Sequence, residues 1–281
     1  AWLGSNSGYD YRGWQLTYLL MGGLMSLGIL TTLMSHEPQI DLKSQDEQQM
    51  ARKATLLARG WSPTLAGLGA WTYEAIWCPF ADFFRRYGSS ALLILGLIAC
   101  YRISDVVMGV MSNSFYVDLQ FSKTEVATIT KVYGVIMTLV GAALGGVLVM
   151  RFGTLRILFL GAVLTASTNL LFALLNEVGH NLELLTLIIS LDNLSAGIAT
   201  AAFVTYLSSL TNVAFSATQY ALFSSIMLLL PKLLAGFSGR VVEQIGYSHF
   251  FIGTSLLGIP VMILIIMVAK RGSTLSPQTH K

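Results

Sequence analysis

Charge is what this sequence has least of. Lys, Arg, Asp and Glu together make up 11% of its 281 residues, where soluble domains carry about 25%. Hydrophobic residues make up 54% and mean hydropathy is +0.66, which places the chain with membrane proteins. A net charge of +3 gives no footprint for nucleic acid, and no such partner is expected. Cysteine is nearly absent: Cys78 and Cys100 are too few for a disulfide framework. His36, His180, His249 and His280 lie scattered near segment ends without ligand spacing, so neither a metal nor a cofactor is expected. The Gly-x-Gly-Asp motif of intramembrane aspartyl proteases is also missing, and no enzymatic activity is expected. The chain opens "AWLGSNSGYD", without an initiator Met or a signal peptide. It reads as a piece of a longer protein, or as a sequence missing its beginning.

What the chain does have is long apolar runs. A spanning helix needs about 20 such residues, and seven stretches qualify: 14–35, 89–117, 124–150, 154–176, 183–208, 216–239 and 247–269. Their Gly, Ser and Thr content suits close helix packing in lipid; Gly141 and Gly145 form a GxxxG read as packing. Lys43, Arg52, Lys53, Arg59, Arg85, Arg86, Arg151, Arg156, Lys270, Arg271 and Lys281 fall at one set of ends. Arg12, Lys123 and Arg240 fall at the other. The positive-inside rule then puts the N-terminus outside and the C-terminus in the cytoplasm.

Residues 36–88 separate the first two runs. "QDEQQMARKATLLARG" is polar and reads as a solvated helix or tether. "WSPTLAGLGAWTYEAIWCPFADFFRRYG" interleaves aromatic with small and charged residues. Such a segment lies in the membrane interface, as a lateral strut unless it has a binding role.

Five ionisable residues remain inside the runs: Arg102, Asp105, Lys131, Asp192 and Lys232. Each costs about 2.5–3.5 kcal/mol or more at the centre of a lone helix, so each should face protein or water. Arg102 and Asp105, three apart, share a helix face and can pair; Asp105 lies near the midplane. Two readings stand for them, glue between helices or a transport pathway with proton relay. Lys232, beside Pro231, faces a cavity or snorkels to an interface. Asn113, Asn193, Gln219, Tyr220 and Thr205 add polarity, and each alone is commonly a helix–helix hydrogen bond.

"GGVLVMRFGTLR", joining the third and fourth runs, resembles the loop signature of the major facilitator superfamily, G-x-L-x-D-R-x-G-x-[RK]. Gly146, Leu148, Arg151 and Gly153 match; Met150 replaces the acidic residue and Arg156 is displaced. Longer stretches look like the AmpG-type muropeptide permeases of that superfamily: "PFADFFRRYG", "YRISDVVMGVMSNSFYVDLQFSKTEVATITKVYG", "LDNLSAGIATAAFVTYLSSLTN" and "FSATQYALFSSI". They cover most of 78–255 in the family's order. The family more often has Lys at the place of Arg102 and Glu at that of Asp192; both swaps keep the charge.

The resemblance implies an all-α, polytopic membrane protein: a major-facilitator-type six-helix bundle with one extra transmembrane helix. Residues 1–35 would be the last helix of an N-terminal half, helix 6. Residues 36–88 would be a cytoplasmic linker with an amphipathic interfacial helix, 89–270 the C-terminal bundle, and 271–281 a cytoplasmic tail. The first five helices are absent, so the chain is expected to be inactive alone. The implied function is proton-coupled import of anhydro-muropeptides (GlcNAc-1,6-anhydro-MurNAc peptides) across the bacterial inner membrane for peptidoglycan recycling. Its partners would be the muropeptide, protons, the bilayer and the missing N-terminal half. Asp105 and Asp192 are the candidates for proton coupling, and Arg102 and Lys131 for holding peptide carboxylates. Asn113, Asn193, Gln219 and Tyr220 complete the candidate binding set, and Gly146, Arg151 and Gly153 form the cytoplasmic loop motif.

Within the same superfamily the alternative is an acetyl-CoA-type transporter. From another class, seven runs with an outside N-terminus invite a seven-span receptor. A retinal protein would need a lysine in its last span, and 247–269 has none.

Overall fold

A computed structural model describes residues 11–35 and 43–272. The start of the linker, 36–42, and the tail beyond 272 lie outside the described residues. The protein is an all-α, multi-pass membrane protein, and among the described residues seven helices are long and apolar enough to cross a bilayer.

The first helix, α1 (Tyr11–Met34), belongs to a unit of its own that ends at Ser44. At 1.5 Å per residue its 24 residues reach about 36 Å, enough for a hydrocarbon core of about 30 Å. Lipid offers hydroxyls no partner, and here they turn back onto their own helix: Thr17 donates to Gly13 O at 2.8 Å and Thr32 to Gly28 O at 2.9 Å.

The second unit begins at Gln45, within α2 (Lys43–Ala58). Gly60, at φ 85°, reverses the chain, and Ser62 caps α3 (Pro63–Thr72), whose first-turn Pro63 has no N–H to leave unpaired. A wide π turn at Tyr73–Trp77 leads into α4 (Cys78–Tyr87). Then come α5 (Ala91–Cys100) and α6 (Ile103–Asp118). The run expected to be one continuous helix over 89–117 is thus broken at Tyr101 and Arg102. Arg102 has φ −92° and ψ 6°, off helical values.

Ser122 and Glu125 open the next span with a reciprocal capping box, Ser122 N–H to Glu125 at 2.8 Å and Glu125 N–H to Ser122 at 3.2 Å. The path is α7 (Lys123–Thr128), a π turn at Ile129–Tyr133, and α8 (Gly134–Phe152). Gly153 alone links α8 to α9 (Thr154–Val178); its φ of 88° and ψ of 153° suit only glycine. Asn181 accepts the Leu184 N–H at 2.9 Å and so caps α10 (Leu182–Leu210).

The last two spans differ from their expected bounds. Pro231 sits inside α11 (Ser216–Ala235), and the backbone loosens at Gly236 and Phe237 before α12 (Ser238–Leu256). The chain turns at Gly246, φ 76° and ψ 168°, nearly the conformation of Gly153. Contacts on either side agree: Ser248 donates to Glu177 at the end of α9, while Ser255 reaches Ala166 O, midway along α9. The fifth span of the bundle therefore runs on to 245, and the sixth and last descends through 247–256 into α13 (Gly258–Gly272).

Small residues set the helix spacing. A Cβ on Gly141 or Gly197 would strike the backbone of α10 or α8 respectively, and one on Gly145 would lie 2.9 Å from Ile198 Cα. The GxxxG is therefore a packing seam, as read from the sequence. Phe115, Phe172 and Phe251 knit α6, α9 and α12 with centroid separations of 4.9 to 6.4 Å.

Candidate functional site

The broken helix is the place to start. Tyr101, at the break, stacks on Phe203 of α10 with centroids 4.4 Å apart and donates to Leu158 O of α9 at 3.2 Å. Gly161 makes room for it, since a Cβ there would lie 2.8 Å from the Tyr101 hydroxyl. Two helices, α9 and α10, thereby hold the break, and the next residue is Arg102. Its guanidinium meets Asp105 at 2.7 Å and donates to Thr200 Oγ1 of α10 at 2.8 Å. Both charged side chains remain 25% exposed, so the pair is neither sealed nor fully wet. A crevice of about 10 Å³, room for one water, opens beside it among Ser104, Thr165, Ala199 and Gly258.

Asp192 lies two turns before Thr200 on the same face of α10. It accepts a hydrogen bond from Thr168 of α9 at 3.0 Å, and Asp105 is close enough to act on its charge. Asn193 accepts from Thr138 of α8 at 3.0 Å and lies against Gly134. Lys131 sits one turn before Gly134 in the π turn, exposed, with no ion pair among the described residues. Asn113 is exposed two turns beyond Asp105 on α6. Arg102, Asp105 and Asp192 thus come together, with Asn193, Lys131 and Asn113 on the helices around them. Lys232 is exposed on α11.

Gln219 lies elsewhere. Fully buried, it joins a network at the basic end of the bundle. Its Oε1 accepts from Arg86 Nη2 at 3.1 Å and from the Asn212 N–H at 2.7 Å; its Nε2 donates to Pro79 O at 2.9 Å and to Asp82 at 3.1 Å. Asp82 and Arg86 pair at 2.9 Å, and Arg86 also donates to Leu210 O at 3.0 Å. Both ends of the Gln219 amide are engaged by protein in this state. Its neighbour Tyr220 packs against the core, half-buried.

Comparison with known proteins gives relatives over most of this length. "Putative transporter AmpG 4" of Rickettsia felis is 28% identical over 260 residues, 92% of this chain and 58% of the relative. The Rickettsia conorii protein of the same name is 34% identical over 188 residues, 67% of this chain and 45% of its own. "Anhydromuropeptide permease" of Escherichia coli K12 is 29% identical over 258 residues, 92% of this chain and 47% of its own. This chain is a relative of the AmpG-type transporters. Those are permeases of the major facilitator superfamily. The chain spans about half the length of the relatives it matches. No protein-family model matches it.

The AmpG-like stretches gain physical content from the fold. "PFADFFRRYG", the end of "LDNLSAGIATAAFVTYLSSLTN" and "FSATQYALFSSI" supply Asp82 and Arg86, Asn212, and Gln219, which meet in the one network described above. In the loop signature Gly153 is the turn, Arg151 is exposed above the Phe152 ring, and Gly146 has open space where a Cβ would stand.

Sequence reasoning missed a second buried cluster. Asn169 of α9 donates to Ser104 at 2.9 Å and Thr254 at 3.3 Å, and Ser104 donates to Thr254 O at 2.7 Å. The signal was an Asn in mid-run within "TASTNLLFALL". Nothing local named its partners, 65 and 85 residues away.

Proposed function

We propose that this chain is the second half, with one preceding helix, of a proton-coupled permease that imports anhydro-muropeptides across the bacterial inner membrane for peptidoglycan recycling. In this reading 1–35 is helix 6, 36–88 the cytoplasmic linker with its interfacial segment, 89–270 the C-terminal bundle and 271–281 the tail. The first five helices belong to the missing half, and the protein moves its substrate without an enzymatic step.

The observation that carries the reading is the Arg102–Asp105 pair at the mid-span helix break, held by Thr200 and neighboured by Asp192. A charge pair inside the bilayer is expensive and is retained where it serves a pathway. A discontinuous helix at the level of the charges is a recurring feature of transporter binding sites. The two carboxyls are the groups there able to gain and lose a proton. Arg102 and Lys131 offer cations to peptide carboxylates; Asn113 and Asn193 offer amides to sugar hydroxyls. Gln219 and Tyr220 enter the binding set only if the network at the basic end opens during transport. Rocking of the two halves about this level would expose it to each side in turn.

Uptake of labelled anhydro-muropeptide by the longer protein, in cells without a permease of their own, tests the proposal. Asp105→Asn keeps the shape but removes the titratable charge, and it abolishes gradient-driven accumulation. The present chain alone gives no uptake above background. Normal accumulation by Asp105→Asn, normalised to membrane-inserted protein, would falsify the coupling role and leave the pair as glue between helices.

A further inference from the structure

The segment before the bundle carries a groove that the transport reading does not use. Helices α2 and α3 pack as a hairpin: Ala66 and Ala70 are fully buried, and a Cβ on Gly69 would meet Leu56 at 3.3 Å and Trp61 at 3.5 Å. Between the hairpin and the π turn that follows lies an open groove of about 640 Å³. Its polar lining is Arg52, Arg59, Thr55 and Thr72, and its apolar lining includes Trp61, Tyr73 and Trp77.

Both hydroxyls are already satisfied within their helices, Thr55 on Ala51 O and Thr72 on Leu68 O. Arg52 is not: its guanidinium lies 3.5 Å from the Tyr73 ring centroid, and Nη1 is shielded from solvent with no hydrogen-bond partner. A shielded guanidinium N–H without an acceptor is costly, and an anion set against it would remove that cost. Over 50–77 the sequence holds Arg52, Lys53 and Arg59 against one acidic residue, Glu74. On the same segment Trp61, Leu65, Leu68, Trp71, Ile76 and Trp77 are 48 to 60% exposed, an apolar band beside arginines that water would not tolerate well. The pairing of such a band with cations is the composition of a bilayer surface.

We propose that this groove binds the headgroup of an anionic phospholipid, its phosphate on Arg52 and Arg59 and its acyl chains along Trp61, Ile76 and Trp77. The lipid seats the linker on the membrane surface at the basic end of the bundle.

The test uses the full chain with Trp2, Trp14 and Trp71 replaced by Phe, so that Trp61 and Trp77 report from the groove. It is reconstituted into phosphatidylcholine vesicles containing either brominated phosphatidylglycerol or brominated phosphatidylcholine, and tryptophan quenching is titrated against mole fraction. Quenching by the anionic lipid is expected at far lower mole fraction. Arg52→Gln and Arg59→Gln each reduce that preference about fivefold, as a cation near an anionic surface implies, while Arg52→Lys keeps most of it. Retention by the lysine variant separates lost charge from lost folding. Equal quenching by both lipids overturns the proposal and leaves a lateral strut. Loss of the preference on adding inorganic phosphate overturns it too, because the groove would then hold a soluble anion.

Discussion

Replacing Gln219 by Met keeps the length of a fully buried side chain and removes four hydrogen bonds. Two of them are charge-assisted, to Arg86 and Asp82, and bonds of that kind contribute about 1.5–3 kcal/mol each. Their loss is partial, because Asp82 keeps Arg86 at 2.9 Å and Arg86 keeps Leu210 O at 3.0 Å. The Pro79 carbonyl and the Asn212 N–H lose neutral bonds of about 1 kcal/mol each. Allowing for those retained partners, the net cost is about 3 kcal/mol. At about 2–4 °C per kcal/mol for a chain near this size, the unfolding midpoint falls by roughly 6–12 °C. Thermal unfolding in detergent, followed with a fluorogenic thiol reagent on the half-buried Cys78 and Cys100, measures it. Gln219→Glu sets a carboxylate 3.1 Å from Asp82 and is at least as damaging. An unchanged midpoint for Gln219→Met, with lost muropeptide uptake in the longer protein, would refute the bracing role and return Gln219 to the substrate.

Adjacent glycines on α8 should behave oppositely. Gly145→Ala places a methyl 2.9 Å from Ile198 Cα and lowers both the folded yield and the unfolding midpoint, whereas Gly146→Ala, with nothing within 4 Å, leaves both unchanged. Equal effects at the two positions would show that the α8–α10 seam is wrongly placed. Gly246→Ala and Gly153→Ala force a side chain into φ 76° and 88° and cost about 1–3 kcal/mol each. A neutral Gly246→Ala would mean that the last two spans do not turn there.

The seven membrane-crossing runs were legible in the sequence because lipid imposes a length and a polarity on each segment independently of its neighbours. The pairing of Arg102 with Asp105 was legible for the same local reason, since residues three apart on a helix meet whatever surrounds them.

What only the tertiary structure decided lies across helices. The break at Tyr101 and Arg102 is held by Phe203 and Leu158, more than fifty residues away, and nothing in "LIACYRISD" marks it. Thr200 became the partner of Arg102 across 98 residues, and Gln219 that of Arg86 across 133. Gln219 and Asn193 read alike in the sequence, as amides in apolar runs. One is sealed among Asp82, Arg86 and Asn212, and the other stands beside Asp192 on α10 and accepts a hydrogen bond from Thr138 of α8. An amide's role depends on which donors and acceptors the packing of other helices places within 3 Å of it, and that placement is a property of the bundle rather than of the run that carries it.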